Sequence, residues 1–115
     1  MRFENFSVWQ LSIEFTTEIY ELTHSFPKNE IYGITSQLRR ASSSIALNIA
    51  EGSGRTTDKE FSRFIDYSIG STLECVSAFH ICRNLEYIDA ETFDLFYKKA
   101  ELISKKLYAF KRRLK

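Results

Sequence analysis

Proline occurs once and glycine four times in these 115 residues. A chain so poor in helix breakers and turn formers is expected to run in long helices with few reversals. Apolar–polar alternation at period two is missing, which excludes a half-buried sheet. Low-complexity tracts and internal repeats are missing as well. No run approaches the roughly 18 apolar residues of a membrane span. The start "MRFENFSVWQ" lacks the apolar stretch of a signal peptide. Charge of one sign is also lacking: 16 Lys and Arg stand against 15 Asp and Glu, a net of +1. The global balance therefore predicts no acidic partner, and any such attraction must be local.

Cysteine is scarce. Cys75 and Cys82 are the only two, and on a helix they would lie two turns apart, roughly 10 Å, too far for a disulfide. They read as reduced, core-filling thiols of a cytoplasmic protein. Only His80 shares their segment, so no metal site is expected. No cofactor or small-molecule substrate is called for either. What the chain does have is 43% hydrophobic residues, enough at this length for one domain over residues 1–115.

Those apolar residues fall in four helical stripes. Val8, Leu11, Phe15, Ile19 and Leu22 recur at steps of three and four, and "SFPKN" ends the first helix. A second, from about Ile31 to Glu51, carries Ile34, Leu38, Ala41, Ile45 and Ile49, with "GSG" (Gly52 to Gly54) as a left-handed stop. Thr57, with Glu60 three residues on, caps a third helix, whose stripe reads Phe61, Ile65, Ile69, Leu73, Val76 and His80 toward Leu85. Asp89 caps a fourth, with Phe93, Phe96, Ala100, Ile103, Leu107, Phe110 and Leu114 as a heptad seam. Short connections make neighbours antiparallel. The fold class is all-α, an up-down-up-down four-helix bundle.

The stretch "QLRRASSSIALNIAEGSGR", Gln37 to Arg55, is the one that invites chemistry. A phosphate-binding loop fails, because Ile49 stands where its first Gly belongs, Arg55 replaces the Lys, and a helix precedes it. A nucleophilic serine fails too. Ser42, Ser43 and Ser44 lie within a helix, with no elbow around them and no oriented base at His24 or His80. His80 reads as a core or interface residue and His24 as a helix C-cap. Packing survives. Ser42, Ala46 and Ala50, four apart, form a strip of small side chains that permits close helix approach. Ser43 and Ser44 are expected to bond back to carbonyls one turn earlier. Asn48 is expected to meet a polar group on a facing helix or subunit. Glu51 is a second candidate for that role, and Glu74 would need Arg39 or Arg40 if buried. Gly70, inside the third helix, costs about 1 kcal/mol against Ala, which predicts a close helix contact there.

"YGITSQLRRASSSIALNIAEGSGR", with "VWQ" before it and "FSRFIDYSIGSTLE" and "LEYI" after it, resembles the four-helix-bundle proteins of the 23S rRNA intervening-sequence family. Some members are encoded by insertions in bacterial large-subunit rRNA genes, and a relative is the accessory protein of diversity-generating retroelements. The resemblance spans about Val8 to Ile88. It implies antiparallel helices assembled as a homopentamer around a channel, a role in binding RNA or DNA, and no catalysis. Members often carry Pro in the place of Ala46, so a kink expected in the family is missing here.

Local charge gives that implication a surface. Residues 1–36 carry two bases and five acids, net −3; residues 89–115 carry eight bases and four acids, net +4. Lys98, Lys105 and Arg112 repeat every seven residues, with Lys99, Lys106 and Arg113 beside them. This basic stripe of roughly 20 Å suits phosphates; the alternative is a solvated helix face. Arg39, Arg40, Arg55, Lys59 and Arg63 form a second group near the turn between helices 2 and 3, either open to phosphate or paired with Glu51, Glu60 or Glu74. Aromatic residues follow the core stripes, so backbone rather than base contacts are expected, and Trp9, Tyr20 and Tyr32 are assigned to the core or a subunit seam. The resulting expectation is a non-enzymatic homo-oligomer binding structured RNA or DNA by charge. A protein–protein adaptor is the alternative.

Overall fold

Two side-chain caps fix where the longest helices begin. Thr57 Oγ1 accepts the Glu60 N–H at 3.1 Å, and Asp89 Oδ1 accepts the Thr92 N–H at 2.8 Å. That second bond holds the Asp89 carboxyl below the usual carboxylate range. The computed structural model describes residues 1–114 and contains four α-helices: α1 (Ser7–Thr23), α2 (Ile34–Ser53), α3 (Asp58–Asn84) and α4 (Ala90–Arg113). Short 3₁₀ turns at Arg2–Asn5 and Lys28–Glu30 precede α1 and α2. Pro27 feeds that second turn, so α2 starts at Ile34, later than the apolar pattern alone predicts.

The backbone of each helix lies close to its chain neighbours and that of α1 to α4, while the diagonal α1 and α3 meet only through core side chains such as Phe15 and Phe79. Partners run in opposite directions along every contact. Thr16 and Arg39 reach Ser42 and Thr23 between α1 and α2, and Lys111 and His80 face Asp66 and Phe93 between α3 and α4. The result is a square, antiparallel array measuring 43 × 24 × 20 Å. One core threads it, with Phe15, Phe79 and Phe96 at ring separations of 5.8–6.4 Å where α1, α3 and α4 converge.

The stripes of α1, α2 and α4 face this core as expected, but that of α3 does not hold throughout. Leu73 and His80 are exposed, and Ser68, Thr72, Cys75, Phe79 and Cys82 take the inward positions. Small polar residues there hid the true face. Ser68 Oγ donates to the Ile45 carbonyl at 2.8 Å, and Thr72 Oγ1 to that of Ser68 at 2.9 Å, so their burial costs no lost hydrogen bond.

The glycines exchange roles relative to the sequence pattern. Gly52 lies inside α2, and a Cβ there would stand 2.7 Å from Phe64 Cβ and 2.9 Å from Phe61 Cδ1. It is a close-packing glycine. The helix stops at Gly54, whose φ of −87° is not left-handed. Left-handed backbone occurs instead at Glu86 (φ 62°). There the Glu86 and Tyr87 amides donate to the Arg83 and Cys82 carbonyls at 3.1 and 2.9 Å, a Schellman closure of α3 built without glycine. Gly70, predicted to abut another helix, is exposed, with nothing within 4 Å of a Cβ. Among the described residues it supports no contact.

Two consequences are measurable. Gly52→Ala will destabilise the fold by about 1–3 kcal/mol in urea melts, because the obstruction is a Phe64 Cβ that cannot swing aside. Gly70→Ala, in open helix, will instead stabilise the chain by up to about 1 kcal/mol. The buried thiols give the second. Burial pushes the Cys75 thiol up to about 12 and the Cys82 thiol up to about 11, with Glu74 and Glu30 adding to the respective shifts. Both should resist iodoacetamide at pH 8 in the native state and react in urea. Their raised values favour the folded state below the unfolded thiol value of 9.0. That stability is lost as pH climbs from there toward 12.

Candidate nucleic-acid interface

The seam of α4 turns Phe96, Ala100, Ile103 and Leu107 into the core, which leaves its basic residues on the remaining surface. The six predicted cations do not form one stripe. Lys98, Lys105 and Arg112 are exposed and make no ion pair among the described residues. Lys99 leans toward α1, where its Nζ donates to Glu18 Oε2 at 2.6 Å. Lys106 and Arg113 flank a cavity of about 360 Å³ against Asn5, Phe6 and Ser7 at the start of the chain. Lys111, which the heptad reading passed over, pairs with Asp66 Oδ1 at 2.7 Å. Nothing local signals that pair, since its partner lies on α3. Leu95 and Leu102 are half-exposed and alternate with Lys98 and Lys105 along one face.

The second basic group divides as well. Arg39 and Arg40 sit near the start of α2 and Arg55 lies beyond its end, so fifteen residues, about 22 Å of helix, separate the two sets. Arg39 Nε donates to Thr23 Oγ1 at 2.9 Å, and its guanidinium lies 4.7 Å from the Tyr20 ring centroid. Arg40 is exposed and unpaired among the described residues, beside a cavity of about 400 Å³ shared with Tyr20, Leu47 and Glu74. Glu74 is exposed and needs no buried donor. At the other end Arg55 pairs with Glu51 at 3.1 Å and covers Phe64 at 4.6 Å, while Arg63 bonds Tyr67 Oη at 3.0 Å and stands 4.0 Å from Glu60. These exposed pairs are weak, so a phosphate can displace them.

The small-residue strip lies along one side of α2. Ser42 and Ala46 are buried and Ala50 is half-buried. The Ser42 carbonyl accepts Thr16 Oγ1 from α1 at 3.0 Å. Ser43 and Ser44 bond back to the Arg39 and Arg40 carbonyls at 2.7 and 2.9 Å. Asn48, expected to reach across, instead donates to the Ser44 carbonyl of its own helix at 2.8 Å. His80 lies exposed, its ring 4.8 Å from Phe93, and Tyr32 is 96% exposed rather than in the core. Trp9 is half-buried, edge-on to Phe3.

One grouping escaped the sequence pattern. Arg2, Arg55 and Arg113, with Asp58, ring a cavity of about 490 Å³ floored by Phe6, Phe61 and Phe110. No spacing signals it. The antiparallel order alone brings the chain start, the α2–α3 turn and the end of α4 to one end of the bundle. Among the described residues no cluster of three or more His, Cys, Asp or Glu is placed to hold a metal ion, and no helix is long and apolar enough to cross a membrane.

Comparison with known proteins adds a family and a fold. A sequence model of the family described as 23S rRNA-intervening sequence protein matches residues 4–109. No curated protein matches the chain. The crystal structure of a protein with unknown function from the S23 ribosomal protein family of Bacteroides thetaiotaomicron superimposes with a TM-score of 0.85. The two share 19% identity over 97% of this chain and 99% of that one, which establishes a common fold. Because Lys99 is tied and Lys98 is not, Lys99→Ala should cost up to about 1 kcal/mol of stability, against a near-neutral Lys98→Ala. Parallel urea titrations will separate them.

Proposed function

Because the chain belongs to the 23S rRNA-intervening sequence protein family, we propose that it is a non-enzymatic, cytoplasmic module that self-associates and binds structured RNA or DNA through charge. The observation that carries this reading is the row Lys98, Lys105 and Arg112. Its cations stay unpaired among the described residues, while Lys99, Lys111, Arg55 and Arg63 all have carboxylates nearby. Phosphates spaced along a backbone supply the counter-charge that such a row lacks. Arg40, exposed and without an ion pair among the described residues, extends the same surface logic.

Self-association draws on a different feature. Leu47, Leu73 and Ile81 lie exposed on the α2–α3 side, Leu47 at 66%. Ile13, Leu95 and Leu102 lie exposed on the opposite α1–α4 side. Two unlike apolar sides favour head-to-tail contacts, which close into rings rather than two-fold dimers, in keeping with the homopentamer that the family resemblance implies. Gly70, exposed between Tyr67 and Leu73, then serves the subunit seam, as do outward-facing residues of α2. The adaptor reading has one observation in its favour: Leu95 and Leu102 interrupt the cationic row, and an acidic, amphipathic protein helix would use both. The hydroxyls of Ser42, Ser43 and Ser44 each bond a backbone carbonyl, which counts against a nucleophile among them.

The test is binding of labelled structured RNA and duplex DNA at low and moderate salt, comparing wild type with Lys98→Glu/Lys105→Glu/Arg112→Glu. Wild-type binding should fall steeply with salt, by nearly one unit of log K per log salt for each phosphate contacted. The variant should keep its assembly mass and lose at least about tenfold in affinity, as two or three charge-assisted contacts require. Equal binding by both proteins would move the interface elsewhere, and absence of binding would favour the adaptor. Gly70→Leu should lower the assembly mass while leaving the helical content unchanged, a split that light scattering and circular dichroism can read.

A further inference from the structure

At the corner where α1 passes into α2, a cavity of about 320 Å³ opens beside Phe26 and Pro27. Its ionisable lining residues are His24, Lys28 and Arg39, and no acid lines it. Glu30, two residues beyond Lys28, turns away from it, with one carboxylate oxygen on Tyr87 Oη at 2.7 Å and the other on the Ile34 N–H at 3.3 Å. Thr35 completes the wall. It is only 2% exposed, yet its hydroxyl has no hydrogen-bond partner among the described residues.

That hydroxyl is an anomaly in this chain. Ser12, Thr23, Ser42, Ser68 and Thr72, the other buried hydroxyl residues, all donate to backbone carbonyls. An unpartnered buried hydroxyl costs more than the bond it could make, so it is rarely left without a role. Arg39 is half-committed in a useful way. Its Nε is fixed on Thr23 and its plane lies over Tyr20, which holds the guanidinium at the cavity wall while its terminal nitrogens make no bond among the described residues. A donor-only guanidinium, a donor-only ammonium and an imidazole surround one space with no carboxylate among them, and the Thr35 hydroxyl lies buried in its wall. The complementary guest is a compact anion with several acceptor oxygens.

We infer that the α1–α2 corner, walled by His24, Lys28, Thr35 and Arg39, is a binding site for a phosphate group carried as inorganic phosphate or a phosphate monoester. The site does not depend on the α4 row or on the proposed function. It lies at the end of the bundle opposite the three-arginine cavity. The phosphate's source is open to two chemistries, a free small molecule or the terminal phosphate of a nucleic-acid strand.

Calorimetry and thermal shift at constant ionic strength, with inorganic phosphate and adenosine 5′-monophosphate as probes, test the site. Wild type should bind saturably. Arg39→Gln and Lys28→Gln should each weaken binding by about tenfold, the value of one charge-assisted contact. Thr35→Val removes only the unpartnered hydroxyl, so it should keep or raise the melting temperature without phosphate and still weaken phosphate binding. Lys28 makes no side-chain bond among the described residues, so its variant stays informative even if Arg39→Gln unfolds. A non-saturable response in wild type, or undiminished binding by both Lys28→Gln and Thr35→Val, would overturn the assignment. Tighter binding of a 5′-phosphorylated oligonucleotide than of its unphosphorylated twin, lost in the same variants, assigns the site to strand ends. Equal affinity of those two oligonucleotides, with phosphate binding intact, assigns it to small molecules.

Discussion

The bundle rests on the closeness of α2 to both of its neighbours. Thr16 donates to the Ser42 carbonyl from one side, and Ser68 donates to the Ile45 carbonyl from the other. A helical carbonyl has a second lone pair beyond the one used within its own helix, and a short hydroxyl reaches it only when the two backbones nearly touch. Ser42, Ala46 and Gly52 provide that clearance, and any larger side chain in their places would push the helices apart. Volume removed along α2 is made up across the core by Phe15, Phe79 and Phe96. The cross-section therefore grades from a close-packed α2 to α1, α3 and α4, which each supply one of the three rings.

This grading also explains which parts of the structure were readable from sequence. Large aliphatic residues at steps of three and four declare a buried face, so Leu38, Ile45 and Ile49, or Ile103 and Leu107, identify their helices without help. The face of α3 is written partly in Ser68, Thr72 and Cys75, whose burial depends on partners on other turns or helices, while Leu73 lies outside as a decoy. Gly52 illustrates the same difficulty. In sequence it belongs to a stop signal; in space Phe61 and Phe64 define its purpose. Local caps such as Thr57 and Asp89 were fully legible, because cap and capped amide lie three residues apart.

The candidate surface was less legible for an electrostatic reason. Heptad spacing tells which cations share a helix face, but not which of them face a carboxylate on the next helix. Lys98 and Lys99 are neighbours in sequence and differ completely in circumstance, one solvated and one on Glu18. The acid-rich start of the chain and its base-rich end pack side by side as α1 and α4, so part of the basic excess is neutralised internally. What remains is narrower than the composition implied and better defined. The arginine cavity shows the converse: three unremarkable residues far apart in sequence become a group once the helices alternate direction.

The two ends of the bundle are chemically unequal. One gathers Arg2, Arg55 and Arg113 over phenylalanine rings; the other joins Phe26, Glu30 and Tyr87 beneath the α1–α2 corner. Copies related by rotation about an axis along the bundle all point the same way, so the inequality is repeated rather than cancelled. A ring of that kind has a front and a back. A linear polymer lying across it would meet Arg2, Arg55 and Arg113 over phenylalanine rings at one rim and the His24, Lys28 and Arg39 corner at the other, and the particle would carry a direction that no single subunit interface specifies.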